Sequence, residues 1–306
     1  MLEKCLLMNM NNQENITKTK ILLRDHNGIL SDLKPHFELV DSVSEAEKVV
    51  VWQDIMGMEL SIVKLAKRLK KPVILIQHGR GAGEDYCPPF NEEMISDKMC
   101  LWSTSDKERL MGCGIPSKKL EITGTTIFNC LKGREPHKGV NILYSPEHWD
   151  YDIEENIEVM DKLKEICKKN KWNLTAKIME RHEQKNYEGY SIFSNRGQPD
   201  HLDIVADCLS KADVLVSLSE MSLELLAEAS DIPVICYTNI KPRMMNQNPA
   251  YLEYPRFYSK AVKQVDSLDN LEATIKGQLE NPDELRKERA NITVLEGGID
   301  ISDPLQ

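Results

Sequence analysis

Val73-Ile-Leu-Ile-Gln-His-Gly-Arg-Gly-Ala-Gly-Glu-Asp85 reads as a short strand running into a glycine-rich loop. Its apolar residues are consecutive rather than alternating, the mark of a strand buried on both faces of a parallel sheet. The same signature recurs at Ile21–Arg24, Val49–Trp52 and Met99–Trp102, with a further strand at Lys119–Thr123. It returns at Asn141–Tyr144, Leu174–Met179, Val214–Ser217 and Pro233–Tyr237. Helical stripes separate the strands. Met58–Lys71 carries Ile62, Val63, Ala66 and Leu69, and Ser105–Gly112 has Ser105 as its expected N-cap. Ile153–Lys169, Asp203–Lys211, Ser222–Ser230 and the tail from Ser267 to Ala290 follow. Alternation of this kind specifies an α/β fold with parallel sheets.

At roughly 150 residues per domain, 306 residues suggest two domains. The polar stretch Lys132-Gly-Arg-Glu-Pro-His-Lys-Gly139 looks like the linker. We therefore expect two Rossmann-like domains, residues 1–137 and 138–306, facing a cleft that is the default ligand site.

Composition narrows the partners. With 39 basic against 49 acidic residues, the net charge is −10, and a general affinity for nucleic acid is not expected. No apolar run approaches the ~18 residues of a membrane span. The N-terminal stretch lacks a basic n-region and a cleavage site, so a cytoplasmic location is expected. Eight cysteines are scattered without a CxxC, which argues against structural zinc or a redox pair; most are expected as reduced core residues. Lys64, Lys67, Arg68, Lys70 and Lys71 make one helix basic. A solvated face is the expectation there, with peripheral contact to the inner face of a membrane as the alternative.

Chemistry concentrates where strands end. His78 follows a buried strand and could serve as general base near neutral pH, or be a structural histidine before a turn. In the second half, Ser217, Ser219 and Ser222 lead into a helix whose N–H groups could hold phosphate, with Glu224 one turn in as a ribose acceptor. Plain N-capping by Ser219 or Ser222 is the alternative. His148 and His182, the latter beside Arg181, also fall at strand ends and could donate to a phosphate. His26 follows the first strand. Asp150-Tyr-Asp152 has the spacing of a divalent-metal motif, but acidic residues are favoured before a helix in any case, and no metal is expected.

Together these stretches resemble the GT-B glycosyltransferase superfamily, and within it the CDP-glycerol glycerophosphotransferase-like branch. His78-Gly79 looks like that family's His-Gly, where the histidine is the proposed base. Ile142-Leu-Tyr-Ser-Pro-Glu-His-Trp-Asp150 is similar to the segment opening its second domain, with the family's Thr and Arg replaced. His182 looks like its second, phosphate-contacting histidine. Asp213-Val-Leu-Val-Ser-Leu-Ser-Glu-Met-Ser222 resembles its serine motif, with the paired serines split and Ser217 in place of an aspartate. The longer spacing to Pro233 leaves Glu224 and Glu228 as rivals for the ribose contact.

A second resemblance is to UDP-N-acetylglucosamine 2-epimerases, carried by Phe90-Asn-Glu-Glu93 and Ile122-Thr-Gly-Thr-Thr-Ile-Phe-Asn129. Asp54 would match their catalytic aspartate, but Gln77 stands where they carry a glutamate. The first resemblance implies a metal-independent transferase without a cofactor. It would move a sugar or polyol-phosphate group from a nucleotide-activated donor to an acceptor hydroxyl in surface polysaccharide or glycoconjugate synthesis. His78 and His182 would be catalytic; His148, Ser217, Ser219, Ser222 and Glu224 would hold the donor. An epimerase-like enzyme and a non-catalytic nucleotide-sugar-binding protein are the alternatives.

Overall fold

The computed structural model describes residues 18–24, 37–79, 86–87, 92–125, 127, 130–146, 153–179, 185–194, 200–218, 222–239 and 260–290. These form two compact units, with the division at residues 126/127.

The first unit is built on a parallel sheet of six strands: β1 (Lys20–Leu23), β2 (Glu38–Leu39), β3 (Lys48–Val51), β4 (Val73–Ile76), β5 (Lys98–Leu101) and β6 (Leu120–Ile122), in the order β2-β1-β3-β4-β5-β6. All four residues of β4 are buried, as its unbroken apolar run requires. Ile21, Val50, Ile74, Ile76 and Cys100 make a cluster on one face. Each such aliphatic side chain withdrawn from water contributes about 1.5–3 kcal/mol.

Helix α1 (Gly57–Arg68) buries Val63 and Ala66. Helix α2 (Thr104–Gly112) starts one residue before the expected Ser105, and its cap lies two residues earlier. Ser103, not Ser105, is the N-cap: it is extended and accepts from Asp106 N at 3.2 Å, while its own hydroxyl donates to the Asp106 carboxylate at 2.6 Å. A carboxylate three residues downstream makes Ser103 the better cap, because the two groups satisfy each other.

The second unit repeats the plan with β7 (Asn141–Ser145), β8 (Asn173–Ile178), β9 (Ser191–Phe193), β10 (Val214–Ser217), β11 (Val234–Tyr237) and β12 (Val262–Val265), all parallel, ordered β12-β11-β10-β7-β8-β9. Helices α3 (Ile153–Asn170), α4 (His201–Ser210), α5 (Ser222–Ala229), α6 (Leu268–Glu280) and α7 (Arg286–Ala290) connect or follow them. Tyr144, Met160, Leu163, Ile178, Val216 and Ile275 belong to one buried core.

The polar stretch before β7 lies against this unit. Glu135 N donates to Ser210 O at 2.8 Å and Arg134 reaches Ala212 O at 3.0 Å and Asp213 at 2.5 Å. Asp231, in the left-handed region after α5 at φ 56°, accepts from Arg286 at 2.8 Å and Arg289 at 2.9 Å. Burial pushes its carboxyl up, but the two guanidinium groups prevail and hold it below the ordinary range.

Candidate functional site

In a doubly wound sheet, ligand chemistry collects beyond the carboxyl ends of the strands. In the first unit β4 ends at Ile76 and delivers Gln77 and His78 there. Gln77 is fully buried. Its carbonyl oxygen accepts from Trp102 N at 2.8 Å, just past β5, and its amide donates to Gly79 O at 3.0 Å. The side chain thus clamps the neighbouring strand's exit on one side and the turn beyond His78 on the other.

His78 is half-buried, and Trp52, leaving β3, meets it edge to face with ring centroids 4.9 Å apart. Two rings leaving the ends of adjacent strands pack together and fix the imidazole.

Asp54 lies two residues beyond Trp52 and is fully buried. Tyr86 donates its hydroxyl to one carboxylate oxygen at 2.5 Å and Ser96 N donates to the other at 2.6 Å. Both oxygens are occupied in holding the β4–β5 excursion in place. Arg24, beyond β1, reaches Glu59 at 3.5 Å, and Gln53 reaches the other oxygen of Glu59 at 3.4 Å. Arg24 Nε is buried and has no hydrogen-bond partner among the described residues. His26, the histidine after the first strand, lies outside the described residues; Arg24 is the polar side chain that reaches this edge.

In the second unit β10 ends at Ser217, which is fully buried. It is level with Ser145 at the end of β7 and Cys236 on β11. Its hydroxyl has no hydrogen-bond partner among the described residues. An orphaned buried hydroxyl costs about 1–3 kcal/mol and calls for an explanation.

Ser222 opens α5, and Glu224 and Glu228 follow one turn apart on a shared helix face, both buried. Exposure therefore does not separate the two glutamates as ribose acceptors. His148, His182 and Ser219 lie outside the described residues, as do Asp150 and Asp152. Two neighbours of this edge escaped the sequence reading. Ser145 and Lys177 are both buried, and a lysine inside a β-strand of apolar neighbours was a legible signal. Among the described residues no group of three or more His, Cys, Asp or Glu side chains is assembled as metal ligands would be.

The cysteines bring a correction. Cys87 and Cys113, 26 residues apart, are joined in a disulfide with a Cα–Cα distance of 4.8 Å. The chain returning from β4 meets the end of α2, a juxtaposition that sequence spacing does not display. Cys100, Cys130, Cys167, Cys208 and Cys236 are free, and all but the half-buried Cys130 are buried. Burial pushes the thiols of Cys100 and Cys167 up to about 12 and that of Cys208 up to about 11.

No family model and no curated protein sequence matches this chain. Solved structures do. A putative UDP-N-acetylglucosamine 2-epimerase from Listeria monocytogenes matches with a TM-score of 0.57 at 14% identity, over 98% of this chain and 89% of that one. The UDP-GlcNAc 2-epimerase from Neisseria meningitidis, bound to UDP-GlcNAc, matches at 0.52 and 15% identity, over 95% and 91%. The wall teichoic acid polymerase TagF, in a variant soaked with CDPG, matches at 0.53 and 11% identity, over 92% and 86%. The fold is thus GT-B-like, two Rossmann-like halves each on a six-stranded parallel sheet. Among the described residues no helix is long and apolar enough to cross a membrane.

Proposed function

We propose that this chain is a GT-B-type transferase that moves a sugar or polyol-phosphate group from a nucleotide-activated donor to an acceptor hydroxyl. One observation carries the choice of transfer over epimerisation: the pair Gln77 and Asp54. A glutamine bonded at both ends of its amide cannot take a proton, and a carboxylate with both oxygens engaged is poorly placed to do so. That leaves His78 as the titratable group at this edge with a partly open ring. In this reading His78 removes the acceptor hydroxyl proton as the bond to the transferred group forms. Ser217 and the start of α5, with Ser219, Ser222, His148 and His182, stabilise the charge that develops on the leaving phosphate. Glu224 accepts from the ribose. The second unit then serves the donor and the first the acceptor.

The test has two readouts. A thermal-shift series with CDP, CMP and UDP should show one nucleotide stabilising the protein, by about 2.7 kcal/mol at a hundredfold excess over its Kd. His78→Ala should keep that shift while losing about 100-fold or more in transfer rate. Consumption of UDP-GlcNAc without any acceptor, or transfer at the wild-type rate by His78→Ala, overturns this reading.

A further inference from the structure

The sheet uses one side of α1 and leaves a flank of it exposed. Val63 and Ala66 are buried, and the helix packs on β3 and β4. About a quarter-turn round the helix Met58, Leu65 and Leu69 are exposed by 62%, 44% and 44%, with Met56 at the helix entry exposed by 53% and the Met58 sulfur accepting from Arg24 at 3.3 Å. At 100° per residue, positions 58, 65 and 69 fall within one narrow stripe. Lys64 and Arg68, one turn apart, line its flank, and Lys70 and Lys71 extend the basic column past the helix end.

The charges on this face are unbalanced. The helix's one carboxylate, Glu59, is turned inward to Arg24 and Gln53. Lys67 is paired with Asp97. Lys64, Arg68, Lys70 and Lys71 have no ion pair among the described residues. In a chain of net charge −10, this face is a local reversal of sign.

We infer that this face of α1 docks on an anionic lipid bilayer, with the helix axis in the plane of the surface. The charge complementarity is direct: each lysine or arginine near an anionic leaflet adds its own increment of attraction. The apolar stripe separates lipid from other polyanions, because a nucleic acid or acidic glycan offers exposed methionine and leucine side chains nothing to enter. Lipid lets Met58, Leu65 and Leu69 sink among acyl chains while the basic column meets headgroups. The same long-range repulsion between an acidic body and an anionic surface orients the molecule so that α1 leads. The inference is independent of the catalytic reading.

The experiment is cosedimentation of the full chain with phosphatidylcholine vesicles, with and without an equal share of phosphatidylglycerol. Binding is expected with the anionic lipid alone and should be lost near ~0.5 M salt. Lys64→Glu with Arg68→Glu should weaken it about tenfold or more. Leu65→Ser with Leu69→Ser should weaken it several-fold, and both pairs, being exposed, should leave the thermal midpoint unchanged. Failure to bind phosphatidylglycerol vesicles overturns the inference. So does binding that the leucine pair leaves intact while the charge pair abolishes it, since that pattern is electrostatic adsorption without the insertion of the apolar stripe.

Discussion

At the carboxyl edge of the first sheet, the buried side chains of Gln77 after β4 and Asp54 after β3 have their polar atoms engaged, by Trp102 and Gly79 in one case and by Tyr86 and Ser96 in the other. Beyond β10, Ser217 is buried just as deeply, yet its hydroxyl meets no partner among the described residues. Both are carboxyl edges of six-stranded parallel sheets, though the strand orders differ, and they use their buried polar groups differently. What the difference teaches is a division of labour. The first edge uses polar groups as fasteners, which hold His78 in place and are inert for that reason. The second leaves the Ser217 hydroxyl without a partner among the described residues, a cost in stability that the donor-binding role proposed above would offset.

Breaking the fasteners should have the largest effect. Asp54→Ala removes the buried acceptor of both the Tyr86 hydroxyl and Ser96 N in the first unit. We expect a loss of about 3 kcal/mol, read as a lower urea midpoint. A loss below about 1 kcal/mol would mean that the carboxylate is not a fastener.

The contrasting edge predicts the opposite sign. Ser217→Ala removes an unsatisfied hydroxyl, so the free protein should be unchanged or stabilised by up to about 1 kcal/mol. At the same time the stabilisation conferred by the cognate nucleotide should shrink. Destabilisation of the free protein by about 2 kcal/mol or more would place Ser217 among the fasteners.

The smallest effect belongs to a pairing remote from either edge. Glu272 on α6 accepts from Lys169 at 2.8 Å, from Lys276 at 2.8 Å and from Asn170 at 3.0 Å. Lys169 first, then Lys276 and Asn170, hold its carboxyl down to about 2. Because the folded-state value is depressed, its contribution is present above the ordinary glutamate range and lost as pH falls through about 2. Glu272→Gln should lower the thermal midpoint by about 1 °C at neutral pH, and the two proteins should converge near the acid end.

The central strands were legible because an unbroken apolar run has few other uses in a chain of this composition. The edge strands were not. Glu38–Leu39 is two residues long, and Val262-Lys-Gln-Val265 is half polar because one side of an edge strand faces water. Ser191-Ile-Phe193 is too short to show a period. His78 and Ser217 were legible for the same reason as the strands they end. The bonds that give those positions meaning were not, since Trp102 lies 25 residues from Gln77, and Tyr86 and Ser96 lie 32 and 42 residues from Asp54. Such pairs exist only after the sheet has set strands side by side, and the Cys87–Cys113 pair is of the same kind.

That covalent pair has a consequence for where the protein works. It closes a ring around the return from β4 to α2, and a ring of this size contributes about 3 kcal/mol by shortening the list of unfolded conformations. In an oxidising compartment the contribution is permanent. In a reducing cytosol the two sulfurs stand as thiols, and the excursion that follows His78 relies on its hydrogen bonds, among them those of Asp54 with Tyr86 and Ser96 N and of Lys119 with Met94 O. The firmness of this edge is then a property that the surroundings set as much as the sequence does.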